Sequence, residues 1–207
     1  MSLLHRARFT VSAARLDQLP PPTTSEVCFV GRSNSGKSSA INLLTNQRRL
    51  AFSSKTPGRT RLINLFGIPD PVEDGAWLGF LVDLPGYGYA AINHETRNEW
   101  AEVLGAYLRE RSSIAGIVLL IDIRRGVTDL DRRLVNWIAP RGIPVLALLT
   151  KADKLPYGQR VRAVAQVRKD LAEIGTLAAV PFSATERIGL DEATLHIENW
   201  ISPKVVP

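Results

Sequence analysis

Four short strings in this chain carry residue types and spacings suited to chemistry on a phosphorylated ligand. The first, in GRSNSGKSS, fits G-x-x-x-x-G-K-[ST] from Gly31 to Ser38, between the apolar runs VCFV and AINLL. In a strand–loop–helix setting, Gly31 and Gly36 let the backbone wrap closely around phosphate. The N–H groups of Arg32, Ser33, Asn34, Ser35 and Ser39 then lie where a helix N-terminus favours an anion. Lys37 would reach the β- and γ-phosphates, and the Ser38 hydroxyl would coordinate Mg²⁺. The second string, WLGFLVDLPGYGYA, ends an apolar run in Asp83, followed by Leu84, Pro85 and Gly86. A carboxylate at that strand end, 46 residues after Lys37, can hold Mg²⁺ through a water. Gly86 can offer its N–H to a γ-phosphate at an approach only a residue without a side chain allows.

The third and fourth strings read a base. In LALLTKADKL, Asp153 can accept hydrogen bonds from N1–H and the N2 amino group of guanine. Adenine offers neither donor there, and a site built around buried polar groups rejects the ligand that leaves them unpaired. The Lys151 stem would lie along the base plane, with Ala152 between it and Asp153, and Thr150 would brace the loop. In PFSAT, Phe182 and Ser183 shape a turn that presents the backbone N–H of Ala184 to the guanine O6. Each string alone has an ordinary reading, as a Gly/Ser turn, a strand-end acid or a helix-capping turn. In register, they describe one guanine-nucleotide site.

The elements that must position these strings alternate. SEVCFVG, RLINLFGI, AWLGFLVD, AGIVLLID, IPVLALLT and LAAVPFS read as strands. KSSAINLLTN, ETRNEWAEVLGAYLRER, LDRRLVNWIA, GQRVRAVAQVRKDLAEIG and LDEATLHIENWI read as amphipathic helices. Four strands are nearly continuous apolar runs, as a sheet covered on both faces requires. The expected fold is therefore α/β with three layers: a mostly parallel central sheet with one antiparallel edge strand and helices on both faces. RLINLFGIPD and AWLGFLVD, joined by a turn-rich segment, form the antiparallel pair. QLPPPTT separates an N-terminal arm, 1–22, from a nucleotide-binding domain, 23–207. The arm could add an edge strand, and its Arg6 and Arg8 could equally touch a partner. Arg132, Arg133, Arg168 and Lys169 read as a solvated helix flank.

Composition narrows the class. The chain has 207 residues, 45% hydrophobic and 22% charged, which is one ordinary globular core. No apolar run approaches the roughly 20 residues of a membrane helix, and the N-terminus lacks the apolar core of a secretory signal. A cytoplasmic monomer without membrane attachment is expected. The lone cysteine, Cys28, sits in an apolar strand and reads as packing, so no disulfide framework or cysteine-based metal site is available. A formal charge of +6 and a pI near 9.8 suit a polyanionic partner.

Taken together, GRSNSGKSSAINLL, SKTPGRTRLINLF, DLPGYGYA, DIRRGVTDLD and LTKADKL resemble the EngB (YihA/YsxC) family of bacterial ribosome-assembly GTPases, a branch of the translation-factor class of P-loop GTPases. The resemblance runs from about Arg8 to Trp200. It implies a slow GTPase switch that binds GTP and GDP with Mg²⁺ and acts in large ribosomal subunit assembly, on rRNA or ribosomal proteins. It also implies a role in normal cell division and septation. The family's Mg²⁺-binding switch threonine falls on Thr60, with Thr56 as the alternative. Gly58, Arg59 and Thr60 then contact nucleotide within a switch I of about 47–61. Lys37, Thr60 and Gly86 carry catalysis in this reading. Tyr87 stands where many relatives place a water-orienting glutamine, so intrinsic hydrolysis should be slow and raised by a partner. Asn34 matches an asparagine that binds K⁺ in related GTPases, which makes K⁺ a candidate second ion.

Two rivals stay open on the sequence: a GTP-regulated module acting directly on division machinery, and an ATP-dependent phosphotransferase sharing only the phosphate loop. His94 reads as a surface residue rather than a general base. Trp77, Trp100, Trp137 and Trp200 read as packing anchors, and Arg124 and Arg125 as loop residues facing a partner or solvent.

Overall fold

The apolar runs become strands of one seven-stranded sheet in a computed structural model, which describes residues 2–52, 62–88, 103–172 and 177–202. In chain order the elements are β1 (Arg8–Ala13), β2 (Glu26–Gly31), α1 (Lys37–Leu44), β3 (Ile63–Pro69), β4 (Trp77–Asp83), α2 (103–110), β5 (Ile114–Asp122), α3 (Asp129–Ile138), β6 (Val145–Thr150), α4 (Tyr157–Asp170), β7 (Leu177–Pro181) and α5 (Leu190–Ile201). The order across the sheet is β1-β3-β4-β2-β5-β6-β7. All neighbours from β4 to β7 pair in parallel, while β3 runs antiparallel to both β1 and β4. The arm does supply the edge strand, so the antiparallel β3 lies one place in from the edge.

Strand alternation sorts the core into two layers. Cys28 and Val30 of β2 point to the face covered by Tyr107 of α2, Leu134 of α3 and Val167 of α4. Val27 and Phe29 point to the opposite face, against Ile41 and Leu44 of α1 and Ile197 and Ile201 of α5. Burial on both faces explains why β2, β5 and β6 carry apolar residues almost without interruption. Burial also pushes the Cys28 thiol well above its ordinary pKa, which suits a packing residue. Trp200 is another, its indole lying over Gly116 where a β-carbon would stand 2.1 Å away. Among the described residues no helix is long and apolar enough to cross a membrane.

Beyond its pairing with β3, the arm is fastened near both of its ends. The Ser2 hydroxyl and the Leu3 N–H both donate to one carboxylate oxygen of Glu198 on α5, at 2.7 Å each, and Leu4 beside them is fully buried. Further along, the Arg111 guanidinium donates to both carboxylate oxygens of the buried Glu26 and to the Pro20 carbonyl. Tyr107 donates to the same carboxylate. An ion pair this deep contributes little net stability because both charges lose water. It does fix where the linker meets β2. Arg132, read as solvated, pairs instead with Asp170 at 3.0 Å and ties α3 to α4.

β2 is where the order of strands reverses. The chain leaves it toward β4 and β3 on one side and toward β5, β6 and β7 on the other. In open α/β sheets such a switch point leaves a crevice at the carboxyl ends of the strands, and β2 ends at Gly31.

Candidate functional site

Gly31 closes β2 in tight quarters, since a β-carbon there would stand 2.6 Å from Ser35 Oγ and 2.9 Å from the Leu120 carbonyl. Asn34 and Gly36 have φ of 65° and 93°, so the loop turns back on itself before Lys37 opens α1. Left-handed residues spaced this way aim successive N–H groups into one concavity, which suits an anion. Ser38 and Ser39 follow in the first turn of α1, where backbone N–H groups have no partner within the helix.

The loop after β4 is stitched to this concavity. Parallel pairing places Asp83 beside Phe29. The Leu84 N–H donates to the Phe29 carbonyl (3.2 Å), the Tyr87 N–H to the Gly31 carbonyl (3.2 Å) and the Ser33 N–H to the Tyr87 carbonyl (3.0 Å). Leu84 and Pro85 are buried. Gly86 abuts the phosphate loop, and a β-carbon on it would stand 3.3 Å from Ser33 N. The buried Asp83 carboxylate accepts a hydrogen bond from the Lys37 ammonium. Cation and anion thus compensate each other at the floor of the concavity.

The base-reading loops close it from the other side. Thr150 is buried and its hydroxyl donates to the Ser35 carbonyl at 2.6 Å, bracing the phosphate loop from the end of β6. Lys151, with φ of 59°, sends its ammonium to the Asn34 carbonyl (3.0 Å) and to Asp122 Oδ2 (2.8 Å). The Ala152 N–H donates to the Phe182 carbonyl at 3.0 Å, locking this loop to the one after β7. From that loop the buried Ser183 hydroxyl donates to Asp153 Oδ1 at 2.7 Å, while Lys154 pairs with Oδ2 at 2.9 Å. The Lys154 ammonium, then the Ser183 hydroxyl, hold the Asp153 carboxyl below its usual pKa. It is therefore an acceptor near neutral pH. Ala184 lies half-buried beside Ser183.

Two residues here had no role in the sequence reading. Asp122, at the end of β5, accepts from Arg124 Nε and Nη2 (2.9 and 2.7 Å) as well as from Lys151. Arg124 first, then Lys151, hold its carboxyl well below the carboxylate range. The signal was an acid ending an apolar strand, as Asp83 does, at the head of DIRRGVTDLD, a string that carried the resemblance but no chemical role for this carboxylate. Asp131, buried on α3, accepts from the Thr128 N–H (2.8 Å) and hydroxyl (2.6 Å) and from the Tyr87 hydroxyl (2.6 Å). The T-x-x-D capping box in VTDLD was the legible half of that arrangement. Burial and the Asp131 carboxylate raise the Tyr87 hydroxyl well above its ordinary pKa, so it is a fixed donor to α3.

Of the candidate site residues, those from Gly31 to Ser39, Asp83 to Gly86, Thr150 to Asp153 and Phe182 to Ala184 converge at the carboxyl ends of β2, β4, β6 and β7. Thr56, Gly58, Arg59, Thr60, His94 and Trp100 lie outside the described residues. The donors available to a metal, the Ser38 hydroxyl and the Asp83 carboxylate, are hard oxygens few in number. That set fits Mg²⁺, which keeps several waters and takes the rest of its ligands from phosphates.

Comparison with known proteins gives a consistent picture. The family described as 50S ribosome-binding GTPase matches residues 26–151. A protein of Bordetella pertussis named probable GTP-binding protein EngB is 77% identical over 207 residues, covering all of both chains. Its namesake from Paraburkholderia xenovorans is 49% identical and covers 98% of this chain and 94% of its own. A crystal structure of a probable GTP-binding protein engB superposes with a TM-score of 0.66 at 21% identity, over 86% of this chain and 98% of that one.

Proposed function

The chain belongs to the EngB family of P-loop GTPases, which hydrolyse GTP to GDP and phosphate, and from that membership we propose how its residues divide the work. The domain doing it is 23–207, to which the arm 1–22 adds an edge strand. The N–H groups from Arg32 to Ser39 cradle the phosphates, Lys37 neutralises the β/γ oxygens, and the Gly86 N–H meets the γ-phosphate. Gly58, Arg59 and Thr60 complete the nucleotide contacts in switch I. Asp153 takes the N1–H and N2 amino group of guanine, Lys151 lies along the base, and the Ala184 N–H meets O6. Ser38 and Thr60, with Asp83 through a water, would hold Mg²⁺, which would supply charge compensation for the β- and γ-phosphates. Asn34 is the candidate K⁺ ligand.

Before nucleotide can be gripped, Lys37 must exchange Asp83 for phosphate oxygens. In hydrolysis a water oxygen bonds to the γ-phosphorus while the bond from that phosphorus to the β-bridging oxygen breaks. GDP leaves, and the water's two protons end on the released phosphate, which passes one of them to solvent near neutral pH. Tyr87 orients no water in this scheme, because its hydroxyl already donates to Asp131. Intrinsic turnover is therefore slow, and a partner raises it.

That partner, in this reading, is the large ribosomal subunit or its precursor, through rRNA and ribosomal proteins. Switch I and the DLPGYGYA loop, ordered by GTP, dock there, and hydrolysis releases a cytoplasmic, monomeric factor. Cell division and septation then depend on the chain because they depend on ribosome supply. A net charge of +6 and the family description both support an RNA-rich partner.

The single observation that carries the nucleotide assignment is the physical tie between its two halves. The base-reading loop holds the phosphate loop directly, through Thr150 on the Ser35 carbonyl and Lys151 on the Asn34 carbonyl. The test is titration of a fluorescent GTP analogue against GTP, GDP and ATP, followed by co-sedimentation with purified large subunits. Guanine-only competition and stronger pelleting with a non-hydrolysable GTP analogue than with GDP are expected. Competition by ATP would overturn the base assignment. Guanine selectivity without pelleting would move the division-machinery reading forward.

A further inference from the structure

Beside the nucleotide residues lies an open cleft of about 380 Å³. Its walls are Arg32–Ser35 of the phosphate loop, Gly88 after the β4 loop, the end of β5 with Arg124–Gly126, Thr128 and Asp131 at the start of α3, and Lys151. The cleft shares Arg32–Ser35 and Lys151 with the nucleotide site, while Lys37, Ser38, Asp83, Asp153 and Ser183 are not among its lining residues, so it adjoins that site and extends past it toward α3. Four cationic side chains face two acidic ones there: Arg32, Arg124, Arg125 and Lys151 against Asp122 and Asp131. Both acids are already committed, Asp122 to Arg124 and Lys151, and Asp131 to Tyr87 and Thr128. Arg125 makes no ion pair among the described residues and is exposed at the rim. Arg32 Nε and Ser35 Oγ are buried in the walls with no hydrogen-bond partner among the described residues. Uncommitted positive charge with orphaned donors is a surface that lacks an anion.

We propose that this cleft takes backbone phosphate of ribosomal RNA between Arg32, Arg124 and Arg125. The proposal rests on the ribosomal reading above and names the surface that meets the RNA. The cleft is open to solvent, and exposed Arg133 continues the positive charge onto α3, which suits a chain of phosphates better than a single anion. The site is also wired to the nucleotide. Arg124 holds Asp122, Asp122 holds Lys151, and Lys151 holds the phosphate-loop carbonyl of Asn34. A phosphate that draws Arg124 away loosens that relay. Gly88 in the wall follows directly on the Gly86–Tyr87 segment, so whatever γ-phosphate does to Gly86 reshapes the cleft.

The test uses the full chain, a non-hydrolysable GTP analogue and purified large ribosomal subunits, with pelleting followed from 50 to 200 mM KCl. Arg125→Ala should bind about three- to tenfold more weakly and show a log–log salt slope shallower by about 0.9 for each phosphate it no longer neutralises. Arg125→Lys, which keeps the charge, should recover most of the affinity. GDP affinity should stay within about twofold of wild type in both variants. Arg162→Ala, equally exposed but on α4 outside the cleft, should behave as wild type. Unchanged affinity and slope in Arg125→Ala while wild type pellets would overturn the cleft alone. An equal loss in Arg162→Ala would do the same, by showing that any surface charge suffices. Absence of pelleting by wild type would overturn the ribosomal reading and the cleft together.

Discussion

Replacing Thr150 with valine isolates the bond that joins the base-reading loop to the phosphate loop. Valine matches threonine in shape but not in chemistry. In the protein the hydroxyl is buried and donates to the Ser35 carbonyl at 2.6 Å, with the Ile121 carbonyl at 3.2 Å as its other acceptor. Valine leaves the Ser35 carbonyl without that donor, which costs about 1–3 kcal/mol. It also puts a methyl group where an oxygen stood 2.6 Å from a carbonyl, closer than carbon tolerates, so Asn34–Gly36 must move outward. For a chain of this size about 1 kcal/mol corresponds to about 2–4 °C, so Tm should fall by about 2–12 °C. GDP affinity should fall by about tenfold, because the displaced loop no longer presents its N–H groups together. The preference for GTP over XTP should not change, since Asp153 and its Ser183 partner are untouched. Thermal unfolding without nucleotide and titration with fluorescent GDP measure both effects, with Thr150→Ser as the control that keeps the hydroxyl. If valine matches wild type in Tm and affinity while serine is the worse variant, the threonine works by filling space and the bracing argument fails.

Three other outcomes follow from the same geometry. Asp153→Asn should move preference from guanine toward xanthine nucleotides, whose C2 oxygen needs a donor; an unchanged GTP/XTP ratio would mean another residue reads the base. Asp122→Asn should cost about 1–2 kcal/mol near neutral pH, discounted because Arg124 and Lys151 are 47% and 34% exposed. The folded carboxyl titrates below its ordinary value near 3.9, so its contribution is full above that pH and fades as acid protonates it. The gap between wild type and variant in urea unfolding should accordingly hold from pH 8 to 5 and close below about pH 4, and a gap that widens in acid would refute the assignment. Gly189→Ala should cost well over about 3 kcal/mol, because φ is 70° and the new β-carbon would stand 2.2 Å from the Pro181 carbonyl. Gly142→Ala, at φ 63° with open space around it, should cost only about 1–2 kcal/mol in parallel thermal melts, and equal costs would show that backbone strain rather than the clash governs both.

What could be read in advance depended on whether a residue's demand is local. The strands from β2 to β7 were legible because burial on both faces demands apolar runs, and the phosphate loop because its turn demands residues that tolerate positive φ, here Asn34 and Gly36. Each demand is met within a few residues and leaves its mark there. The arm's strand β1 was only half legible, since three of its six residues are exposed and it has one paired edge, against β3. Asp122 was not legible at all as part of the site. Nothing within its own string says that β5 will lie between β2 and β6, and pairing with β6 sets Asp122 opposite Thr150 and so within reach of Lys151. The same holds for the Ser183–Asp153 and Tyr87–Asp131 bonds, which join residues 30 and 44 apart. Strand order decides them, and strand order is a property of the whole sheet. These non-local bonds are also what makes the site a unit. Thr150, Lys151 and Asp122 join the phosphate loop to the ends of β5 and β6, so a ligand on any one of those loops shifts the others through hydrogen bonds under 3.1 Å. Local strings could supply a phosphate cradle and a base reader separately. A switch needs them coupled, and in this protein the coupling runs through Thr150 and Lys151, which the base-reading string marks, and through Asp122, to which no string gave a role.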